Sequence, residues 1–370
     1  MKVKLGDVAT YTNGYAFKPD DWSDIGLPII RIQDLTGNSY KMNRYNGTYA
    51  EKYEINKGDV LISWSASLGI YIWQGEKAVL NQHIFKVLFD KLDISKTFFV
   101  YQVESILNKA KSSAHGATMK HLTKPVFDSL PFYLPDLNEQ HHIAAVLDKV
   151  SDLIALRKKQ LAKLDELVKA RFVEMFGDPV LNTKKMDIVY LLDIAEYYNG
   201  LTYKPENIKD NGVIILRSSN IKNNHLNFDD IVRVDCNIKA RLFVRENDIL
   251  MCSRNGSSRL VGKVALVDNL FEPMGFGAFM MIVRSSYYSY LLIYFQLEAF
   301  RRQIRTGATT TINQITGAML DKVMLPIPDQ DSLESFNIFY KKIKKYEYII
   351  KNSLSKMETL KKSLMQEYFG

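Results

Sequence analysis

Asn138–Gly177 reads NEQHHIAAVLDKVSDLIALRKKQLAKLDELVKARFVEMFG, and its spacing decides how the rest of the chain is organised. Alternating steps of four and three pick out Ile143, Leu147, Val150, Ile154, Arg157, Leu161, Leu164, Val168, Arg171 and Met175. Most are apolar, and Leu153, Leu156, Leu167, Phe172 and Phe176 widen the stripe on one side. No Gly or Pro intervenes until Gly177 and Pro179, the order in which a helix is stopped. The spacing predicts a long amphipathic helix with a near-heptad seam, roughly 58 Å long at the standard rise per residue. Such a helix cannot bury its stripe alone, so another segment must cover it.

Gln330–Gly370 supplies that segment, QDSLESFNIFYKKIKKYEYIIKNSLSKMETLKKSLMQEYFG. The same seam recurs there at Phe336, Tyr340, Ile343, Glu347, Ile350, Leu354, Met357, Lys361, Leu364 and Tyr368. Both helices end alike, in Glu174-Met-Phe-Gly177 and Glu367-Tyr-Phe-Gly370. Where the first seam carries Arg157 and Arg171, the second carries Ile350 and Leu364. The expected pairing is an antiparallel coiled coil.

An internal repeat surrounds the helices. Leu5-Gly-Asp-Val-Ala-Thr-Tyr-Thr-Asn-Gly-Tyr-Ala-Phe-Lys-Pro19 aligns without gaps on Leu191-Leu-Asp-Ile-Ala-Glu-Tyr-Tyr-Asn-Gly-Leu-Thr-Tyr-Lys-Pro205. The register continues through Gly26–Arg31 against Gly212–Arg217, then Gly58-Asp-Val-Leu61 against Asn247-Asp-Ile-Leu250. It returns at Gly116-Ala-Thr118 against Gly307-Ala-Thr309, and at Leu134-Pro-Asp136 against Ile327-Pro-Asp329 before each long helix. Chance does not produce ordered blocks of this kind. The fold class is therefore α+β: two pseudo-two-fold related, mixed, mainly β modules separated by two long helices that form an antiparallel coiled coil. The expected segments are a first module (1–136), a central helix (137–177), a second module (178–329) and a second long helix (330–370). The seam is expected to be built by Leu147, Val150, Ile154, Leu161, Leu164 and Val168 against Ile343, Ile350, Leu354, Met357 and Leu364. Each helix is expected to brace the opposite module.

Short strands with turn signals between them recur in both modules, at Leu27–Arg31, Asp59–Ser63, Ile70–Trp73, Ala78–Leu80 and Ile84–Phe89 in the first. A short helix is expected over Leu5–Tyr11 and a longer one over Lys96–Ala110. The second module repeats the strands at Val213–Arg217, Asp248–Cys252, Lys263–Val267 and Phe279–Arg284.

With 370 residues, 46% hydrophobic and 24% charged, the chain has the composition of an ordinary globular protein of two to three domains. No window approaches the length of a membrane span, and the opening MKVKLGDVAT lacks an apolar core, so a cytoplasmic protein is expected. Cys236 and Cys252 form neither a disulfide framework nor a zinc pattern. His141 and His142 are adjacent on a helix and diverge, so they do not chelate. The net charge of +8 gains meaning beside 12% aromatics and the Arg, Asn, Ser and Gly clusters in the turns.

Those turns occupy matching places in the two modules but differ in content. Arg31, Gln33 and Asp34 answer Arg217, Ser219 and Asn220; Ser63, Trp64 and Ser65 answer Arg254, Asn255 and Arg259. Arg, Asn and Gln make paired hydrogen bonds to base edges, whereas Ser, Gly and Lys suit phosphates. A duplicated scaffold with unlike polar loops is what reading two unlike short sequences requires, and solvated surface loops are the plainer alternative. Gly116 and Thr118, like Gly307 and Thr309, follow a basic helix; two readings stay open, a backbone cradle for phosphate and a simple helix cap.

Catalytic signatures are missing. The sequence has no G-x-x-x-x-G-K-[ST], no [N/D]-P-P-[Y/F/W], and no Asp or Glu two residues before a Lys. No Ser/His/Asp arrangement with a strained Gly-x-Ser-x-Gly turn occurs either. The sequence describes a binder without chemistry of its own, and no metal ligands are assigned.

Leu5-Gly-Asp-Val, Gly116-Ala-Thr, and Leu134-Pro-Asp-Leu-Asn-Glu-Gln140 followed by Ile143-Ala144 and Leu147 resemble the motifs of the specificity subunits of type I restriction–modification systems. The resemblance covers essentially the whole chain, although Asp329–Glu334 does not reproduce the Glu-Gln pair. It implies two target-recognition domains, each reading half of a bipartite duplex DNA sequence, with the helices as a ruler between them. It further implies two methyltransferase subunits that bind S-adenosylmethionine and modify adenine, and two restriction subunits that use ATP and Mg. No cofactor is then bound by this chain. A coiled-coil adaptor whose modules bind protein or RNA is the alternative.

Overall fold

The computed structural model describes residues 1–65, 67–113, 123–268, 270–305 and 314–370. Its two long helices are Leu137–Phe176 and Gln330–Phe369, 40 residues each. The repeated Pro-Asp before each is a cap. Asp136 Oδ1 accepts from the Glu139 amide at 2.9 Å, and Asp329 Oδ1 accepts from the Ser332 amide at 2.8 Å. Gly177 ends the first helix at φ +70°, its amide donating to Val173 O at 2.8 Å, a conformation that costs glycine nothing.

Every seam position named above is buried or half-buried, in both helices. Leu147, Val150, Val168 and Ile343 are buried; Ile154, Leu161, Leu164, Ile350, Leu354, Met357 and Leu364 are half-buried. Leu153, Leu156 and Leu167 correct the wider stripe: they are 39, 50 and 47% exposed. They project to the side of the seam, and one partner helix covers only a narrow strip.

The chain forms two compact units, Met1–Lys158 with Asn352–Gly370, and Lys159–Lys351. Each long helix is thus shared between them. In the first unit Ile143, Ala144 and Leu147 meet Leu364, Met365, Tyr368 and Phe369 in one core with Phe98, Phe99, Phe127 and Phe132. Phe369 packs on Phe98 with ring centroids 5.6 Å apart, and Lys109 Nζ donates to Phe369 O at 2.6 Å. In the second unit Val168, Phe172 and Phe176 meet Leu333, Phe336, Tyr340 and Ile343 around Tyr290. The start of one helix meets the end of the other in both units, so the pair is antiparallel. Each helix leaves its own module and ends in the core of the other, as the repeat predicted.

The main sheets of the two units share a topology. The first has a four-stranded antiparallel sheet in the order Thr10–Asn13, Ile84–Leu88, Val60–Ser63, Gly69–Ile72. The second has Glu196–Asn199, Met280–Arg284, Ile249–Cys252, Val264–Leu266 in the same order. Beside each lies a second sheet, four-stranded in the first unit and three-stranded in the second, with one parallel pair, Leu27–Ile30 with Ala78–Leu80 and Ile208–Leu216 with Met274–Phe276. A two-stranded ribbon, Lys2–Lys4 with Pro131–Tyr133 or Asp187–Tyr190 with Met324–Ile327, leads to the long helix in each case. Leu5–Tyr11 is only partly helical. Its helix is Leu5–Val8, and Thr10–Asn13 is a strand because Thr and Tyr alternate there between sheet faces.

The repeated Asn-Gly has a steric cause. A Cβ on Gly14 would lie 2.2 Å from Leu80 O, and one on Gly200 would lie 2.2 Å from Gly277 O. Only glycine lets these two backbones close on each other.

Candidate nucleic-acid interface

In the second unit four turns converge. Leu201 N donates to Phe276 O at 2.7 Å, Gly277 N to Leu216 O at 2.9 Å, and Ser253 N and Arg254 N to Phe279 O at 3.0 and 3.1 Å. Between them opens a cleft of ≈ 910 Å³ lined by Thr202, Tyr203, Arg217, Ser218, Ser219, Arg254, Phe279 and Gln314 among others. Of the residues singled out in this half of the sequence, Arg217, Ser219 and Arg254 come together here.

Arg217 Nη2 donates to Asp230 Oδ2 at 2.7 Å, its side chain is 33% exposed, and its Nε is buried without a hydrogen-bond partner. Arg254 is exposed and lies over the Phe279 ring, its guanidinium carbon 5.5 Å from the centroid. This contact preorganises a planar donor group over an apolar face, the arrangement that suits a bidentate acceptor. Asn255 donates to Ser218 Oγ at 3.2 Å and accepts from Ser257 N at 3.0 Å, so it shapes the turn. Arg259 is exposed on the short turn Ser258–Leu260, outside the cleft lining.

Asn220 is buried. Its Oδ1 accepts from Arg217 N at 2.8 Å while Nδ2 donates to Asn227 O and Asp230 O, both at 2.9 Å. Asp34 does the same work in the first unit: its side chain is 1% exposed and Oδ2 accepts from Arg31 N at 2.8 Å. These two residues hold their turns, and the bonds they make use the polar side chains singled out in the sequence. The signal was in the repeat, since Asp7/Asp193, Asp21/Asn207 and Asp59/Asp248 also each accept from the amide three residues before.

The first unit fills the matching positions differently. Arg31 lies over Trp22 at 5.7 Å, donates to Lys41 O at 3.2 Å, and has its Nε 3.5 Å from Asp34. Gln33 is exposed. Ser63 is buried, with its hydroxyl bonded to Ser67 O, and Ser65 is buried too. Trp64 stacks on Phe85 at 5.8 Å and meets the edge of His83 at 5.4 Å. His83 stands where the second unit has Phe279, and Gln82 Nε2 lies 3.2 Å from its Nε2. Tyr15, Phe17, Tyr45 and Tyr53 form an aromatic group beside it, with Tyr15–Phe17 centroids 4.9 Å apart. The two units thus present unlike side chains at matching positions, His83 in the first where Phe279 stands in the second.

Tyr203 and Phe279 line the cleft and Tyr15 belongs to the first unit's aromatic group, and the sequence reading singled out none of the three. The paired aromatics Phe17 and Tyr203 in the repeat, and an exposed phenylalanine in Gly275-Phe-Gly-Ala-Phe279, were the available signals. Gly116, Thr118, Gly307 and Thr309 lie outside the described residues.

Among the described residues, Asp165, His225 and Glu347 bring three possible metal-ligand atoms within 4.8 Å of one another. Lys344 Nζ is already 3.1 Å from Glu347 Oε2 and 3.5 Å from His225 Nδ1, so the chain supplies its own cation there. No helix among the described residues is long and apolar enough to cross a membrane.

Residues 1–166 match the family model of the type I restriction modification DNA specificity domain. The EcoBI specificity subunit of Escherichia coli is 26% identical over 285 residues, 68% of this chain but 59% of that relative's length. The MjaVIII specificity subunit of Methanocaldococcus jannaschii is 20% identical over 98% of this chain and 90% of its own. The crystal structure of a type I restriction-modification S subunit from M. genitalium shares the fold at a TM-score of 0.56 and 14% identity, covering 100% of this chain and 96% of that one. Residues 1–166 thus match the specificity-domain family, and the whole chain is similar in sequence and fold to specificity subunits of type I restriction systems.

Proposed function

We propose that both units contact duplex DNA and that each reads one half of a bipartite target. In the second unit the contacts are Arg217, Ser219 and Arg254, joined by Tyr203, Phe279 and Gln314. In the first they are Arg31 and Gln33, joined by Tyr15 and His83. The observation that carries this reading is the gathering of Arg217 and Arg254, distant in sequence, at one cleft of a scaffold built twice. The long helices act as the ruler between half-sites. Methyltransferase subunits bring S-adenosylmethionine, restriction subunits bring ATP and Mg, and this chain does no chemistry.

Arg254→Ala tests the cleft. Its loss is expected to cost about 1–3 kcal/mol on the selected duplex and to relax one position of one half-site. Selection from a random-site duplex pool, with partners supplied, reads both effects. Equal weakening on selected and random DNA assigns Arg254 to phosphates. Failure to enrich any gapped motif favours the adaptor that binds protein or RNA.

The ruler has its own test. Half-sites on one face of B-DNA have centres about 34–36 Å apart, one helical turn. Removing one heptad from both long helices is expected to shift the preferred spacer and leave the half-site letters unchanged. A methylation assay that finds the same spacer refutes the ruler.

A further inference from the structure

Glu347 sits in the coiled-coil seam and is 4% exposed. The corresponding seam position of the first helix is Ile154, so the repeat itself accommodates an apolar residue there. A buried carboxylate is costly to desolvate, and an apolar replacement is often neutral or stabilising. Its presence calls for a local reason.

That reason lies in what it faces. Hairpin strands Ile221–Lys222 and His225–Leu226 are joined by Asn223 and Asn224 at φ +50° and +60°, a two-residue turn of the primed type. A two-stranded hairpin is marginal alone and needs anchors. At its base Asn227 N donates to Asn220 O at 2.9 Å, closing the loop onto the turn that carries Arg217 and Ser219. At its tip both nitrogens of His225 face charge on the long helices. Nε2 lies 3.8 Å from Asp165, while Nδ1 lies 4.0 Å from Glu347 and 3.5 Å from Lys344. Asn224 adds a bond to Gln296 at 2.9 Å. Lys344 also pairs with Asp268 at 3.1 Å, and Lys351 lies 3.8 Å from Glu347. Burial alone would lower the Lys344 pKa, but Asp268 and Glu347 outweigh it and hold the ammonium above its ordinary value.

We propose that His225 is a positioning residue: it clamps the hairpin to the helix pair and so sets the turn carrying Arg217 and Ser219, which the reading above assigns to DNA. The inference rests on that assignment for its functional half alone. The mechanical half stands on the hairpin and its two anchored ends. A consequence is asymmetry, because the second unit's contacts are tied to the helices by charges that Ile154 cannot supply.

The test uses the full chain with His225→Ala, His225→Gln and Glu347→Gln. Amide exchange at Asn220 and Asn227 is expected to rise about tenfold in His225→Ala, with helical circular dichroism unchanged. Exchange at Asp34 in the first unit is expected to stay as it was, and His225→Gln to restore part of the protection. Glu347→Gln, which loosens the same contact from the helix side, is expected to speed exchange at the same two amides. In duplex selection, His225→Ala blurs the half-site that Arg254→Ala blurs and leaves the other sharp. Unchanged exchange at Asn220 and Asn227 in His225→Ala overturns the clamp. Faster exchange with selection altered by Arg254→Ala but not by His225→Ala overturns the positioning role. Faster exchange with selection indifferent to both variants upholds the clamp and overturns the DNA assignment of the cleft.

Discussion

Phe172→Ala is expected to destabilise the second unit by about 3–5 kcal/mol, the range for deleting a fully buried aromatic side chain. Phe172 is 0% exposed and its ring lies 5.0 Å from Tyr290, 5.1 Å from Phe176 and 6.0 Å from Phe336. Those partners come from three separate segments, so the cavity left behind is framed by elements that cannot all move in together. Both transfer and cavity terms therefore count. Amide exchange along Met280–Arg284 reports the loss, while Ile84–Leu88 in the first unit serves as the internal reference. Equal loss of protection in both strands would show that the units unfold as one, contrary to the division of the core. A loss below about 1 kcal/mol would mean that the four-ring cluster repacks around the gap.

Asp248→Ala is expected to cost a similar amount, about 3–5 kcal/mol, for an electrostatic reason. Asp248 is 1% exposed and accepts from Arg284 Nε and Nη2, both at 2.7 Å, and from Arg245 N at 2.8 Å. Without it a guanidinium with only 18% of its side chain exposed loses its counter-charge, and a turn loses its cap. The repeat supplies the comparison. Asp59 caps Asn56 at 2.8 Å and pairs with Lys86 at 3.0 Å, but its side chain is 27% exposed and a single ammonium faces it. Asp59→Ala is expected to cost about 1–2 kcal/mol, since water screens and replaces part of what is lost. Chemical unfolding of the two variants, monitored separately in each unit, decides the order. Equal costs would show that burial and bidentate geometry do not set the difference.

The helices, their seam and the duplication were legible because they repeat with a fixed period, and period is what local sequence carries. Leu5–Pro19 against Leu191–Pro205 located the same strand, glycine and cap twice. The residues that line the cleft were harder for a physical reason. Arg217, Arg254 and Phe279 become neighbours only through bonds such as Gly277 N to Leu216 O, between segments far apart in sequence. Asn220 and Asp34 show why residue type is a weak guide: a side-chain oxygen that suits a base edge also suits an amide three residues back, and here it accepts from that amide. His225 gave no signal at all, since it lies on a hairpin and its charged neighbours come from two helices far away in sequence.

The sharing of both helices between units has a consequence for biosynthesis. Residues 352–370 complete the core around Phe98 and Phe132, yet the ribosome makes them only after all of Lys159–Lys351. The opening half of the polypeptide therefore waits, with apolar surface uncovered, until residues 352–370 have followed it from the ribosome.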